Sequence, residues 1–114
     1  MATALVVYSE TPGTLAQENG QRKVFTWLDS KHVRYEKVEA VSDKEQRQNL
    51  TEISGVKGGY PQVFIKRGET DIEFVGQFED LEKLIDNDGL SPDVLEKMPE
   101  IKSFSIVFKE CIEA

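Results

Sequence analysis

The chain has 114 residues, which suits one domain with a buried core and does not accommodate two. Its 14 lysines and arginines stand against 21 acidic residues, and the formal charge of −7 argues against nucleic-acid and anionic-membrane binding while favouring partners with basic patches. Its single cysteine, Cys111, excludes a disulfide within the chain, and no apolar run approaches the roughly 18 residues of a membrane span, so we expect a soluble cytoplasmic protein.

The first two predicted elements are a strand and a helix. Residues 4–8 form a short, continuously apolar run, which is typical of a strand buried on both faces of a sheet. Thr14 with Gln17 three residues later is a capping-box pattern, and it predicts a helix that ends near Ser30. Gly20 inside this helix costs about 1 kcal/mol relative to alanine, so the middle of the helix is predicted to be its weakest part.

A second strand and a polar helix are predicted next. Residues 33–41 have the composition of a strand. Ser42 and Glu45 form another capping-box pattern at the start of a helix whose core anchors are Leu50 and Ile53. Because so few apolar residues anchor this helix, we expect it to be the most mobile one.

A hairpin is predicted in the second half of the chain. Residues 60–65 begin a strand at a proline, and residues 67–69 form a turn. Residues 71–75 alternate polar and apolar side chains, as a strand with one wet face does, and Gly76 is predicted to end this strand.

Helical spacing of apolar residues predicts a third helix, which Gly89 closes. The apolar residues at this spacing are Phe78, Leu81, Leu84 and Ile85. Ser91 and Pro92 then provide a cap and a first-turn proline for a short helix that Pro99 is predicted to stop.

The last stretch, residues 100–113, carries apolar residues at intervals of three and four. They are Ile101, Phe104, Val107, Phe108 and Cys111 or Ile112. This spacing predicts an amphipathic terminal helix in preference to a strand. We expect its apolar stripe to pack on the same domain, with homodimerisation through this helix as the alternative.

The predicted order of elements, a βαβ unit followed by a hairpin and a helix, resembles the thioredoxin fold and specifically the glutaredoxins. The segments that carry the resemblance are Val6-Val7-Tyr8-Ser9, Tyr60-Pro61-Gln62-Val63-Phe64-Ile65, and Gly76 followed by Phe78-Glu79-Asp80-Leu81. The Val-Tyr-Ser start, the Trp27-Leu28-Asp29-Ser30-Lys31 helix end, the strand with Tyr35 and a loop without cysteine are still more similar to the Src-homology-3-binding glutamic-acid-rich-like proteins, which lack the redox motif.

The resemblance covers residues 4–90 and implies an α/β fold of the α+β, three-layer kind. We expect a thioredoxin/glutaredoxin-like, four-stranded mixed sheet flanked by helices, with extra C-terminal helices. The corresponding domains are a glutaredoxin-like domain over residues 1–90 and a C-terminal helical extension over residues 91–114. A fold does not by itself define an activity, so function is argued from the site residues.

The loop after the first strand lacks the cysteines that glutaredoxins use. In the family pattern they would fall at about Gly13 and Ala16. The hydroxyl groups of Ser9, Thr11 and Thr14 cannot substitute, because an alcohol has no comparable redox couple. Oxidoreductase activity by the family mechanism is therefore not expected.

The resemblance also implies a ligand groove and a cis Tyr60–Pro61 bond. In glutaredoxins the backbone before this proline pairs with glutathione, and an acidic turn with the helix start after it holds the glutamyl end. The candidate groove residues here are Glu10, Thr11, Tyr60, Pro61, Phe78, Glu79 and Asp80. Glu10 stands where glutaredoxins usually carry lysine, so its carboxylate would repel the glycyl carboxylate of glutathione.

Three other residues have structural explanations. His32 has no second metal ligand at a matching spacing, so no metal site is expected. Trp27 is expected to pack in the core or half-buried on the first helix, whereas an exposed tryptophan would mark an interface. Cys111 formally opens a prenylation box, but Glu113 occupies a position that favours an aliphatic residue, so we expect Cys111 to pack in the terminal helix.

Two functions remain open at the level of sequence. The first is a redox-inactive, non-catalytic adaptor that needs no cofactor and holds a protein partner, either in the acidic groove or through the terminal helix. The alternative is a glutathione-binding or glutathione-dependent regulatory protein with residual redox function. No Pro-x-x-P segment is present for an Src-homology-3 groove, so that ligand motif does not define the partner.

Overall fold

The computed structural model describes residues 2–11, 13–98 and 100–113. Within these ranges the chain forms four strands and five helices, joined by loops. In chain order they are β1 Thr3–Tyr8, α1 Leu15–Ser30, β2 Tyr35–Glu39, α2 Lys44–Ser54, β3 Gln62–Lys66, β4 Ile72–Gln77, α3 Phe78–Asp88, α4 Pro92–Lys97 and α5 Phe104–Val107. None of these helices has the length and apolar character that crossing a membrane requires.

The strands form one mixed sheet in the order β2-β1-β3-β4. Strand β1 pairs in parallel with β2 and antiparallel with β3, and β3 pairs antiparallel with β4. The expected fold class is confirmed: a four-stranded mixed sheet is flanked by helices and followed by C-terminal helices, an architecture consistent with a thioredoxin-like fold.

One face of this sheet, the thick face, is covered by α1, α3 and the C-terminal segment. Because side chains alternate along a strand, Ala4 and Val6 of β1 point to this face, and Leu5 and Val7 point to the other. The buried residues of the thick face are Ala2, Ala4, Val6, Val24, Leu28, Val33, Val63, Ile65, Leu81, Phe104, Phe108 and Cys111.

The opposite face, the thin face, is covered by α2. Its buried residues are Leu5, Val7, Val38, Ala40, Leu50 and Phe64. Leu50 is the α2 residue among them, whereas Ile53, predicted as a second anchor, is 44% exposed. That prediction was wrong because Ile53, next to the last residue of α2, stays largely exposed although it follows Leu50 by one turn.

The predicted caps hold for α1 and fail for α2. Thr14 Oγ1 accepts a hydrogen bond from Gln17 N at 3.1 Å, which confirms the start of α1. Helix α2 has Asp43 as its N-cap, without a side-chain cap bond, so the predicted box of Ser42 and Glu45 is wrong. Ser42 instead donates its backbone and hydroxyl hydrogens to Glu39, which competes with capping.

The hairpin is confirmed, but its second strand does not stop at Gly76. Strand β4 continues to Gln77, and α3 begins directly after it at Phe78. Gly76 has φ of +155°, and the side chain of Asp80 occupies the space that a β-carbon would need. A glycine is therefore required here by both backbone and packing.

The predicted long terminal helix is wrong, while the prediction that its apolar residues pack on the same domain is confirmed. Helix α5 covers Phe104–Val107, and Ile112 then forms an antiparallel bridge with Val33. Phe104 and Phe108 are fully buried, with ring centroids 4.5 Å apart. The predicted stop at Pro99 lies outside the described residues.

Candidate ligand groove

The candidate residues lie at one end of the sheet. Strands β1, β2 and β4 run in the same direction and end there, and β3 begins there, as the register of Val7 with Gln62 and of Gln62 with Gln77 shows. The loop after β1, the segment before β3 and the start of α3 are therefore neighbours. Open α/β sheets commonly bind ligands beyond the carboxyl ends of their parallel strands.

A groove of about 270 Å³ lies between the start of α1, the segment before β3 and the start of α3. Its lining, which defines the ligand groove, is Ala16, Gln17, Gly20, Gly59, Tyr60, Pro61, Gln77, Phe78 and Glu79. Four predicted site residues are thus brought together here: Tyr60, Pro61, Phe78 and Glu79. The other five residues of the lining were not among the predicted groove residues, although Ala16 is a position where the resemblance implies a cysteine.

The remaining three predicted residues lie outside this lining. The side chain of Asp80 caps the start of α3, because its Oδ2 accepts a hydrogen bond from Gln77 N at 3.0 Å. Glu10 and Thr11 are exposed in the loop after β1. The backbone N–H of Thr11 donates to Ser9 Oγ at 3.2 Å, which is a contact within this loop.

The expected cis Tyr60–Pro61 bond is present, and the side chain of Gln77 holds the segment before it. Gln77 Nε2 donates to the carbonyl oxygen of Gly59 at 2.7 Å. Gly59 has φ of +67°, and a β-carbon there would collide with the Gln77 amide. The groove wall therefore depends on this glycine having no side chain.

A second glutamine fixes the same segment from inside the sheet. Gln62 is 1% exposed, and its Nε2 donates to the carbonyl oxygens of Val56 at 3.1 Å and Gly58 at 2.5 Å. Its Oε1 accepts from Ser54 Oγ at 3.2 Å. A buried amide is tolerated when its donors and acceptor are satisfied, so Gln62 positions the backbone that leads into the groove. The signal in the sequence was a glutamine inside an otherwise apolar strand.

Aromatic packing forms the wall between α1 and α3. The Phe78 and Trp27 rings stack with centroids 5.6 Å apart and an interplanar angle of 11°. Phe78 also packs against α1 at Gly20, where a β-carbon would lie 3.4 Å from the ring, an ordinary contact distance. Helix α1 continues through Gly20, and Trp27 is half-buried as predicted.

Buried Gln21 connects the loop after β1 to α1. Its Oε1 accepts from Ser9 N at 2.8 Å, and its Nε2 donates to the carbonyl oxygen of Ser9 at 2.9 Å. This pair satisfies both backbone groups of one residue and fixes the path of the chain as it leaves the sheet.

Glu39 joins the loop after β1 to the loop after β2, a role that the sequence analysis missed. Its Oε2 accepts from Glu10 N at 3.0 Å, and its Oε1 accepts from Val41 N at 2.8 Å and Ser42 N at 2.9 Å. These backbone hydrogen bonds, with that from Glu10 the strongest, lower the pKa of Glu39 to about 2. Glu39 is therefore ionised near neutral pH.

Cys111 lies away from the groove, at the other end of the sheet. It is fully buried, and its carbonyl oxygen accepts from Arg34 N at 2.7 Å, beside the pairing of Ala4 with Tyr35. Pro61 adjoins the Val7 end of β1, about 10 Å further along the strand. Burial raises the pKa of the Cys111 thiol, which disfavours the reactive thiolate.

No metal-binding arrangement is found in the described part of the chain. Among residues 2–11, 13–98 and 100–113, no three histidine, cysteine, aspartate or glutamate side chains form a group suited to a metal ion. His32 is exposed at the end of α1 with φ of 58°.

Comparison with known proteins does not assign a family. No family model matches the chain, and no curated protein matches it. A solved structure described as that of a malarial protein is 16% identical, and the match covers 79% of this chain and 99% of the other with a TM-score of 0.42. This similarity is too low to indicate a function.

Proposed function

We propose that the chain is a redox-inactive, glutaredoxin-like protein-binding module whose ligand groove holds an extended segment of a partner protein. The observation that carries the proposal is the position of the single cysteine. Cys111 is buried at the end of the sheet opposite Pro61, and Gly13 and Ala16 stand where the resemblance implies reactive thiols. A groove without an accessible thiolate can bind but cannot exchange disulfides.

The lining of the groove supports recognition of a peptide. Tyr60 and Phe78 present aromatic surface, which gives contact area at low entropic cost. Gln17 adds an amide group that can donate to and accept from a peptide backbone, and the Gln77 amide holds the Gly59 carbonyl in the wall of the groove. Aromatic surface and amide groups are typical of sites that bind an extended peptide without catalysing a reaction.

The negative charge of the groove and of the whole chain favours a partner segment that is neutral or basic. Glu79 contributes a carboxylate to the lining, and the whole chain carries −7. A segment with lysine or arginine would be attracted to this surface, and an acidic one would be repelled.

The alternative is a glutathione-binding or glutathione-dependent regulatory protein. It is favoured by the grouping of Tyr60, Pro61, Phe78 and Glu79 in one groove, because the resemblance associates these positions with glutathione. Glu10 argues against it, because it places a carboxylate where the resemblance implies a lysine for the glycyl carboxylate of glutathione, and like charges repel. Homodimerisation through the C-terminal segment and a cytoplasmic location stay predictions that are separate from this groove.

The decisive experiment fills the groove without disturbing the core. Ala16 is exposed and lines the groove at the first turn of α1, so Ala16→Arg should occlude it. Thr26→Arg, at an exposed position further along the same helix, is the matched control. A photo-reactive amino acid at Gln17 should cross-link a defined partner in native extract for the parent and the Thr26→Arg variant, and the Ala16→Arg variant should lose it.

A titration with reduced glutathione separates the two functions. We expect no shifts of the amide resonances of residues 76–81 in the labelled full chain and no reduction of hydroxyethyl disulfide. Saturable shifts there, or turnover, would replace the adaptor function with the glutathione-dependent one. If the Ala16→Arg variant still cross-linked the same partner, the groove would not be the binding site, and the proposal would be contradicted.

A further inference from the structure

A second concave surface lies at the opposite end of the molecule, between the hairpin turn and the C-terminal segment. This surface, the C-terminal patch, has a volume of about 530 Å³. Its apolar members are Ile101, Ile106 and Val107, and Ile106 is 51% exposed. A single exposed isoleucine is ordinary, but one that lines a cavity together with two further aliphatic side chains indicates a contact surface.

The exposed position of Ile106 is rigidly fixed. Its neighbours Phe104 and Phe108 are fully buried in the thick face, so the short helix cannot rotate to hide Ile106. Ser105 is also anchored, because its N and Oγ donate to the Asp88 carboxylate at 3.0 and 2.9 Å. A contact surface that is already ordered loses little conformational entropy when it is covered.

The charged members of the patch have both signs. Arg67 lies between two carboxylates, with Nη1 3.1 Å from Glu73 Oε1 and Nε 3.4 Å from Glu110 Oε1. Lys102 and Lys109 complete the patch, and within the described residues neither is within ion-pair distance of a carboxylate. Three cationic and two anionic side chains thus surround the isoleucines on a chain whose overall charge is −7.

We propose that the C-terminal patch is a two-fold interface between two copies of this chain. Under a two-fold axis the same patch meets itself, so it must be self-complementary. Ile106 of one copy packs on Ile106 of the other, and the lysines of one copy face Glu73 and Glu110 of the other. Charges of both signs around an apolar centre meet this requirement, whereas a surface suited only to an acidic peptide would carry lysines alone.

The overall charge also favours this surface for self-association. Two chains of −7 repel each other, and a patch with three cationic and two anionic side chains does not carry the excess of negative charge that causes this repulsion. The screening length falls from about 30 Å at 0.01 M salt to about 8 Å at 0.15 M. Added salt in this range therefore lowers the long-range repulsion between two copies of the chain, whereas it would only weaken an acidic peptide bound to the lysines.

Sedimentation velocity of the full chain tests the proposal. Between about 10 µM and about 1 mM protein, we expect the weight-average sedimentation coefficient to rise from monomer toward dimer, as for a weak interface. Ile106→Asp should remain monomeric across this range. Ile53→Asp, at a comparably exposed isoleucine on α2, should dimerise like the parent. A parent chain that stays monomeric, or an Ile106→Asp variant that dimerises equally well, overturns the proposal.

A charge exchange tests the two-fold arrangement and does not depend on any single variant. A Lys102→Glu, Lys109→Glu chain and a Glu73→Lys, Glu110→Lys chain should each be monomeric, and their mixture should form a heterodimer. Failure of the mixture to associate, with both chains folded by circular dichroism, contradicts the proposed pairing of lysines with glutamates. None of these residues lines the ligand groove, so partner binding there is tested independently.

Discussion

The two faces of the sheet are built differently. The thick face buries side chains from α1, α3 and the C-terminal segment, including Phe104 and Phe108, whereas α2 supplies Leu50 to the thin face. Tyr60, Ile72 and Phe74 are only partly buried against the thin face. Because the free energy gained on burial scales with apolar area, the thick face should determine global stability and the thin face should open first.

This difference bears on function because the C-terminal patch rests on the thick face, whereas the ligand groove rests on both faces. The C-terminal patch rests on the thick face through the buried phenylalanines of α5. The ligand groove contains Tyr60, which packs against the thin face, and Phe78, which packs against the thick face. We therefore expect the groove to be the more adaptable of the two surfaces, and the patch to be the more rigid.

The largest expected effect comes from the thick face. Phe104→Ala removes a fully buried ring and should lower the free energy of unfolding by about 3–5 kcal/mol, measured by denaturant titration. Ile106→Ala, on the same helix but exposed, should stay within about 0.5 kcal/mol of the parent in dilute solution. Equal effects for the two would mean that the C-terminal segment is not part of the core.

The second effect separates local from global opening. Leu50→Ala should cost about 2–3 kcal/mol, and hydrogen exchange of α2 amides should accelerate more than that of α1 amides. Ile53→Ala, one turn further along and 44% exposed, should change exchange little. Uniform acceleration throughout the chain would show that the thin face does not open separately.

A smaller effect is expected at the helix starts. Thr14→Ala removes the hydrogen bond from Gln17 N and should destabilise the protein by about 1 kcal/mol. Thr11→Ala, in the same loop but not a cap, is the control. A chemical denaturation series that places both variants at the parental midpoint would show that the cap is not used in solution.

The smallest expected effect is a change in pH dependence. The pKa of Glu39 is about 2 in the folded chain against an ordinary value of 4.5, because backbone N–H groups bind its charged form. Its contribution to stability is therefore fully present above pH 4.5 and is lost as the pH falls toward 2. Glu39→Gln should reduce the dependence of the free energy of unfolding on pH between pH 4.5 and 2. Glu36→Gln is the control, because Glu36 is an exposed carboxylate on the same strand, and this variant should keep the pH dependence of the parent.

Local signals in the sequence were sufficient for most of the elements. The apolar run of β1, the Thr14 cap and the spacing within α3 each depend on neighbouring residues. The long terminal helix was mispredicted although its apolar residues have helical spacing, because the backbone near the C-terminus pairs with the segment after α1 instead. Arg34 N binds the carbonyl oxygen of Cys111, and Ile112 bridges to Val33.

The candidate groove was predicted only in part, because local patterns identify some of its residues and long-range contacts bring in the others. Tyr60, Pro61, Phe78 and Glu79 carry a recognisable local pattern, and they line one cavity. Gln77 was missed because its task, holding the Gly59 carbonyl, joins segments that are distant in sequence. Glu39 gave no local signal, since its three backbone donors come from two loops.

Residue identity and short-range spacing were enough to predict the order of strands and helices, the absence of a cysteine from the loop after β1 and the acidic charge. Contacts between distant segments were needed to show that α2 has a single buried anchor, that the C-terminal segment completes the thick face and that Ile106 stays exposed. Burial and hydrogen bonding between distant segments depend on how the faces of the sheet are covered, and local spacing does not contain that information.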